Sequence, residues 1–160
     1  MALQIRIIDK ENFMKLVLIT IIAGILATFA RVVFLEMISK FRSVHVDMIK
    51  AVGTLYHGRR GHVYLRGYGA HFLVGTVSAF VYLVLLSIYN PESIGASASY
   101  GAVIGLFHGC VVSFAMTVIV DEHHPLPEFR RFGYEVVVYY WVAQIVYGAV
   151  VGAVIGARYL

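Results

Sequence analysis

Residues 94–120 read IGASASYGAVIGLFHGCVVSFAMTVIV, a run without a single Asp, Glu, Lys or Arg. It is longer than the ~20 apolar residues that cross the ~30 Å hydrocarbon core of a bilayer. Within it, Gly101, Gly105 and Gly109 recur at every fourth position. That spacing lays a flat stripe of small residues along one helix face. Such a stripe lets two backbones approach in lipid, where no hydrophobic effect drives helices together. The stretch therefore reads as a spanning helix with a close neighbour. Its length and its lack of in-out alternation exclude a β-barrel strand.

Three further apolar runs flank it. Leu16 to Ile38 is interrupted by Arg31 and Glu36, whereas Tyr68 to Tyr89 and Val136 to Ala157 carry no charge. Backbone groups in hydrocarbon must be satisfied within the segment, so each run is expected to be a helix. The expectation is an all-α integral membrane four-helix bundle, one domain over 1–160, with helices at about 14–38, 68–89, 94–120 and 133–157. Composition agrees: 60% of the residues are hydrophobic and 14% charged, against roughly 45–50% apolar in an ordinary soluble domain. In the last run Gly148, Gly152 and Gly156 repeat the four-residue stripe. The two stripes predict close contacts, either within the chain or with another chain.

The opening MALQIRIIDKENFMK (1–15) is mixed in charge and the apolar run after it is too long for a signal-peptide core, so the first helix is expected to stay in the protein. The single cysteine, Cys110, can form no intramolecular disulfide and reads as a small packing residue. Lys40, Arg42, Lys50, Arg59, Arg60, Arg66, Arg130 and Arg131 fall in the two basic loops on one side, and Arg6, Lys10, Lys15 and Arg158 on the other. Cytoplasmic loops carry the excess of Lys and Arg. The bias puts both termini outside and explains a pI near 9.3 with a lipid bilayer and no nucleic acid as partner.

Between the first two runs, SVHVDMIKAVGTLYHG (43–58) sets Val44, Met48, Val52 and Leu55 at helical spacing. A short amphipathic helix at the interface is expected, with Asp47 and Lys50 toward water or headgroups.

The stretches DMIKAVGTLYHG (47–58), AHFLVGTVSAFVY (70–82), GAVIGLFHG (101–109), HHPLPEF (123–129) and VAQIVYGAVVGAVIG (142–156) occur in that order. Together they resemble a family of small four-helix bacterial membrane proteins catalogued as a domain of unknown function. The resemblance covers about the last 120 residues and rests on His71 with Gly75, His108, His124 with Pro125, and the final glycine stripe. It implies the four-helix fold and the bacterial cytoplasmic membrane, and it implies no activity.

Antiparallel helices joined by a loop place residues at equal depth when their numbers sum to a constant set by the loop ends. On this arithmetic His71 lies level with Met116, ~12 Å along the axis from His108 at ~1.5 Å per residue. It also lies near Glu36 and Glu135, with Arg31 about one turn deeper. Arg31, Glu36, His71 and Glu135 thus form an expected polar layer, and ionisable groups inside a membrane are candidate functional residues by default. The loop DEHHPLPEFRR (121–131) adds Asp121, Glu122, His123 and His124. With His71 they could ligate zinc, copper or iron, since imidazole and carboxylate suit those ions, or the loop could be a wet cap with no ligand.

No nucleotide loop, nucleophile elbow or zincin motif is present, and the paired Glu-x-x-His motifs of di-iron bundles are missing. The leading expectation is a non-enzymatic accessory or scaffolding subunit of a larger membrane assembly, docking another membrane protein or its own copy through a glycine stripe. The alternatives are a small channel or transporter using the Glu36, His71 and Glu135 layer, and a metal or haem binder at the cytoplasmic end. No cofactor is favoured.

Overall fold

The computed structural model describes residues 10–42, 47–55, 61–130 and 133–157, without the side chains of Arg42 and Asp121. It is all-helical among the described residues: α1 (Lys10–Arg42), α2 (Met48–Thr54), α3 (Val63–Tyr89), α4 (Ile94–His123), a 3-10 turn (Pro127–Phe129) and α5 (Tyr134–Gly156). Helices α1, α3, α4 and α5 are each long and apolar enough to cross a membrane. Side chains such as Leu73, Phe107 and Val111, each more than 60% exposed, lie where a bilayer would contact them.

Local chemistry explains the element ends. Helix α3 stops at Asn90, whose left-handed backbone (φ 44°, ψ 58°) turns the chain into Pro91. The Ser93 side chain then accepts a hydrogen bond from the Ala96 amide at 3.1 Å and starts α4. Helix α4 ends at His124, which is extended (φ −66°, ψ 134°) because the following Pro125 disfavours the helical region. The outer helices run further than hydropathy marks. Helix α1 begins four residues before 14 and carries an exposed Glu11–Lys15 pair at 2.6 Å. Helix α3 begins five residues before 68, because its first turns pack against α2 and need no lipid-like sequence.

That docking is close. A Cβ at Gly53 would overlap the Val63 carbonyl, and one at Gly67 would overlap the Ile49 carbonyl. The residues α2 buries are Met48, Ala51, Gly53 and Thr54, whereas Val52 and Leu55 are half-buried and Val44 lies outside the described residues. Its apolar face is thus turned from the expected one, toward the protein. Asp47, expected to face water, caps α2 through the Lys50 amide at 2.9 Å and accepts from the Tyr64 hydroxyl at 2.8 Å.

Helices α4 and α5 share the most extensive interface, followed by α1 with α5 and α1 with α3. Helices α3 and α4 follow each other in sequence but scarcely touch. The order around the bundle is therefore α3, α1, α5, α4, with a cleft between the first and the last. The stripes account for the tightest contact: a Cβ at Gly101 would meet the Gly148 carbonyl, and one at Gly148 would meet that of Gly101. Ala23, Ala27, Ala79, Tyr82, Leu86, Tyr147, Val151 and Ile155 form the main buried cluster, and Met48, Ala51, Val120, Phe129 and Val136 a second one at the α2 end.

Candidate functional site

The polar centre of the bundle is Arg31. It is 7% exposed and reaches two side chains from different helices. Its Nη1 donates to Gln144 Oε1 on α5 at 3.3 Å, and its Nη2 lies 3.0 Å from His71 Nδ1 on α3. Close helix approach makes this meeting possible: Gly75 presses on the Thr28 hydroxyl, and Gly24 on Thr76 and Ala79. Tyr147 fixes the other flank by donating to the Gly75 carbonyl, while its ring centroid sits 5.8 Å from the Arg31 guanidinium carbon.

A guanidinium has only donors, so His71 Nδ1 must accept and the ring proton must sit on Nε2. That N–H is buried without a partner among the described residues, as are Arg31 Nε and Ser113 Oγ. No carboxylate reaches Arg31 within salt-bridge distance among the described residues. A desolvated cation–π contact contributes about 2 kcal/mol or more, but it brings no counter-charge. A lone arginine at membrane depth costs about 2.5–3.5 kcal/mol on insertion scales and more in simulation, and each orphaned buried donor adds about 1–3 kcal/mol. The arrangement is donor-rich and cationic, and protein groups do not complete it.

Three spaces adjoin one another around this centre. A vestibule of about 610 Å³ opens at the α2 end; Arg31, His71 and Tyr140 line it alongside Glu36, Lys40, Asp47, Lys50 and Glu128. An inner cavity of about 120 Å³ shares Arg31, His71 and Tyr140 with it and adds Ser113 and Gln144. The cleft between α3 and α4, about 470 Å³, shares Ser78 and His108 with the inner cavity and is otherwise mostly apolar. Tyr82, fully buried, links these levels: its hydroxyl lies 3.1 Å from His108 Nδ1, and its ring packs edge-on against Tyr147 at 5.5 Å.

The expected polar layer divides. Arg31 and His71 come together at one level, so Arg31 is not a turn deeper. Glu36 is exposed on the vestibule wall, and Glu135 is exposed in the first turn of α5, nine residues or ~13 Å of helix rise from Gln144. For Arg31, Glu36 and His71 the physical reason is α2, which fills the first connection so that α1 and α3 need not end level. Gln144 was missed by the sequence reading. It is the single amide in the apolar run of α5, a signal that could have been noticed.

The expected metal set does not converge. His123 and Glu122 are exposed, and the Asp121 side chain lies outside the described residues. His124 is fully buried and engaged at both ring nitrogens: Nδ1 accepts from the Leu126 amide at 3.0 Å, and Nε2, which then carries the proton, donates to the Ala51 carbonyl at 2.9 Å. Neither His124 nor His71 has a lone pair left for a metal. Among the described residues no three His, Cys, Asp or Glu side chains gather as a metal site requires. His124 instead pins α2 to the end of α4, with Phe129 edge-on at 4.7 Å.

No family model, curated protein or solved structure matches the chain. Among the described residues, fold and site together define an all-helical protein with four candidate membrane spans, suggesting multi-pass insertion and bilayer contact, around a buried arginine with no carboxylate within salt-bridge distance.

Proposed function

We propose that the chain is a small membrane carrier that takes an anionic group at Arg31 and passes it between the vestibule and the membrane interior. One observation carries this reading: among the described residues, a buried guanidinium has no carboxylate within salt-bridge distance and is flanked by unpaired N–H groups at Arg31 Nε and His71 Nε2. The vestibule mouth carries Glu36, Asp47 and Glu128 against Lys40 and Lys50, with Lys50 paired to Glu128 at 3.6 Å. The anion is taken at the floor, where Arg31 selects it as arginine and lysine do in anion pores. The transporter expectation thus moves from a Glu36, His71 and Glu135 layer that handles protons to an Arg31, His71 and Gln144 centre that takes an anion.

The Lys and Arg bias supports the vestibule facing the cytoplasm, with both termini outside. The accessory-subunit reading rests on small size, glycine-faced helices and the lack of a complete catalytic set, and it expects an exposed stripe as the docking face. Each stripe faces the other, so a partner would need a different face.

The test uses protein in lipid nanodiscs, unfolded thermally with nitrate, acetate or a long-chain carboxylate at constant ionic strength. A ligand at 100 times its Kd stabilises the native state by about 2.7 kcal/mol. At least one of these anions should raise the wild-type midpoint, and Arg31→Gln should abolish the rise. Midpoints that ignore every anion, or rise equally in Arg31→Gln, would refute the reading.

A further inference from the structure

The anion reading leaves open what is attached to the charge, and the α3–α4 cleft bears on that. We infer that the ligand is a long-chain monocarboxylate, its head at Arg31 and His71 and its single apolar tail in the cleft between α3 and α4. This rests on the reading of Arg31 as an anion site and adds the ligand class.

Charge and size select the head. Among the described residues Arg31 is the one charged side chain in the wall of the inner cavity, whose other polar members are amide, hydroxyl and imidazole groups. One cation balances a monoanion. A phosphate monoester would bring a second, uncompensated negative charge into a site walled by apolar helices, at a cost of several kcal/mol. Arg31 Nε and His71 Nε2 are buried donors without partners among the described residues, and a carboxylate brings only acceptors. A space of about 120 Å³ suits a carboxylate.

Continuity selects the tail. The inner cavity passes into the cleft at Ser78 and His108. Beyond them the cleft is walled by Val81, Leu85, Val103, Ile104 and Phe107. It stays open because α3 packs on α1 and α4 packs on α5, so the two cleft helices are held apart at their backs. From His71 to Leu85 the helix rises ~21 Å at ~1.5 Å per residue, about two thirds of the ~30 Å hydrocarbon core. A short anion would leave that length to bulk lipid, whereas one long chain fills it. The exposure of Val81 and Val103, 56% and 52%, makes the cleft open sideways to the bilayer, so an amphiphile enters from its own leaflet with its head already toward the vestibule.

The experiment compares three additives on the full chain in nanodiscs, at equal mole fraction where they partition: palmitate, the C16 alcohol and acetate. Thermal midpoints are read for wild type, Val103→Trp and Val81→Trp. Both substitutions put bulk into the cleft at lipid-facing positions where folding tolerates it, and two sites guard against one failing to fold. Palmitate should stabilise the wild type, the alcohol and acetate should do far less, and either tryptophan should weaken palmitate roughly tenfold or more, the loss of about two buried methylenes. Acetate acting as strongly as palmitate, with no effect of either tryptophan, would overturn the tail assignment while leaving the anion site intact. The alcohol matching palmitate would overturn the joint head-and-tail assignment. An absence of any Arg31-dependent response would remove the anion reading itself, and this inference with it.

Discussion

Helices α4 and α5 and helices α1 and α3 are both antiparallel pairs in the same bundle, yet one is a dry zipper and the other borders cavities. The first pair meets through Gly101, Gly105, Gly148 and Gly152, where backbone atoms fill the space a side chain would need. The second meets through Gly24 and Gly75 only as far as Thr28. At the next turn, Arg31 and His71 replace small residues with long polar ones. Small residues in lipid allow van der Waals contact along the whole helix. Bulky polar residues hold helices apart and bring their unmet hydrogen-bonding capacity with them. Rigidity and ligand capacity meet on α5: Gln144 backs against Gly105 and Gly109 of α4 in line with the glycine stripe, and its amide, with Tyr147 beside it, reaches Arg31.

The largest expected effect breaks the zipper. Gly101→Leu places a side chain against the Gly148 carbonyl and the Gly152 Cα, where nothing can shift except the helix itself. A loss of about 3 kcal/mol or more is expected in denaturant titration in mixed micelles, at the high end for overpacking. A loss below about 1 kcal/mol would mean the two halves are equally loose.

Next is the clasp at the α2 end. His124→Leu keeps the bulk but leaves the Ala51 carbonyl and the Leu126 amide without the partners described above, for a cost of about 2 kcal/mol. Hydrogen exchange should rise in α2 and remain unchanged in the α4–α5 core. Uniformly faster exchange would show that the cap and the zipper form one cooperative unit rather than two regions.

The smallest effect has the opposite sign. The double variant Arg31→Met with Gln144→Leu removes the buried cation and its amide acceptor together. Replacing buried polar partners by apolar groups of similar size is often neutral or stabilising. A gain of about 1 kcal/mol is expected without ligand, together with complete loss of the anion response. A marked destabilisation would mean the arginine holds the bundle together, and would make the cavitied half structural like the other.

Much of the architecture was legible in the chain because it depends on local properties. Run length and absence of charge mark the four spans, and glycine at every fourth position marks a face built for close approach. The candidate centre was half legible. Arg31 and His71 stood out as ionisable residues in apolar runs. Their pairing did not, since depth matching assumes that consecutive helices end level, and α2 breaks that assumption. Hydropathy also cannot show that α2 turns Met48, Ala51 and Thr54 into the protein, because packing against α3 and packing against headgroups call for the same apolar residues.

By itself, then, the sequence determined the number of apolar helices, the glycine faces on α4 and α5, and the presence of an arginine that lipid cannot solvate. Only the tertiary structure decided that the two stripes close on each other, that His124 spends both ring nitrogens on backbone groups, and that Gln144 reaches Arg31. Periodicity and hydropathy are properties of one helix in its solvent. Which side chains meet depends on axial offset and rotation between helices, and these are set by packing summed over the whole bundle.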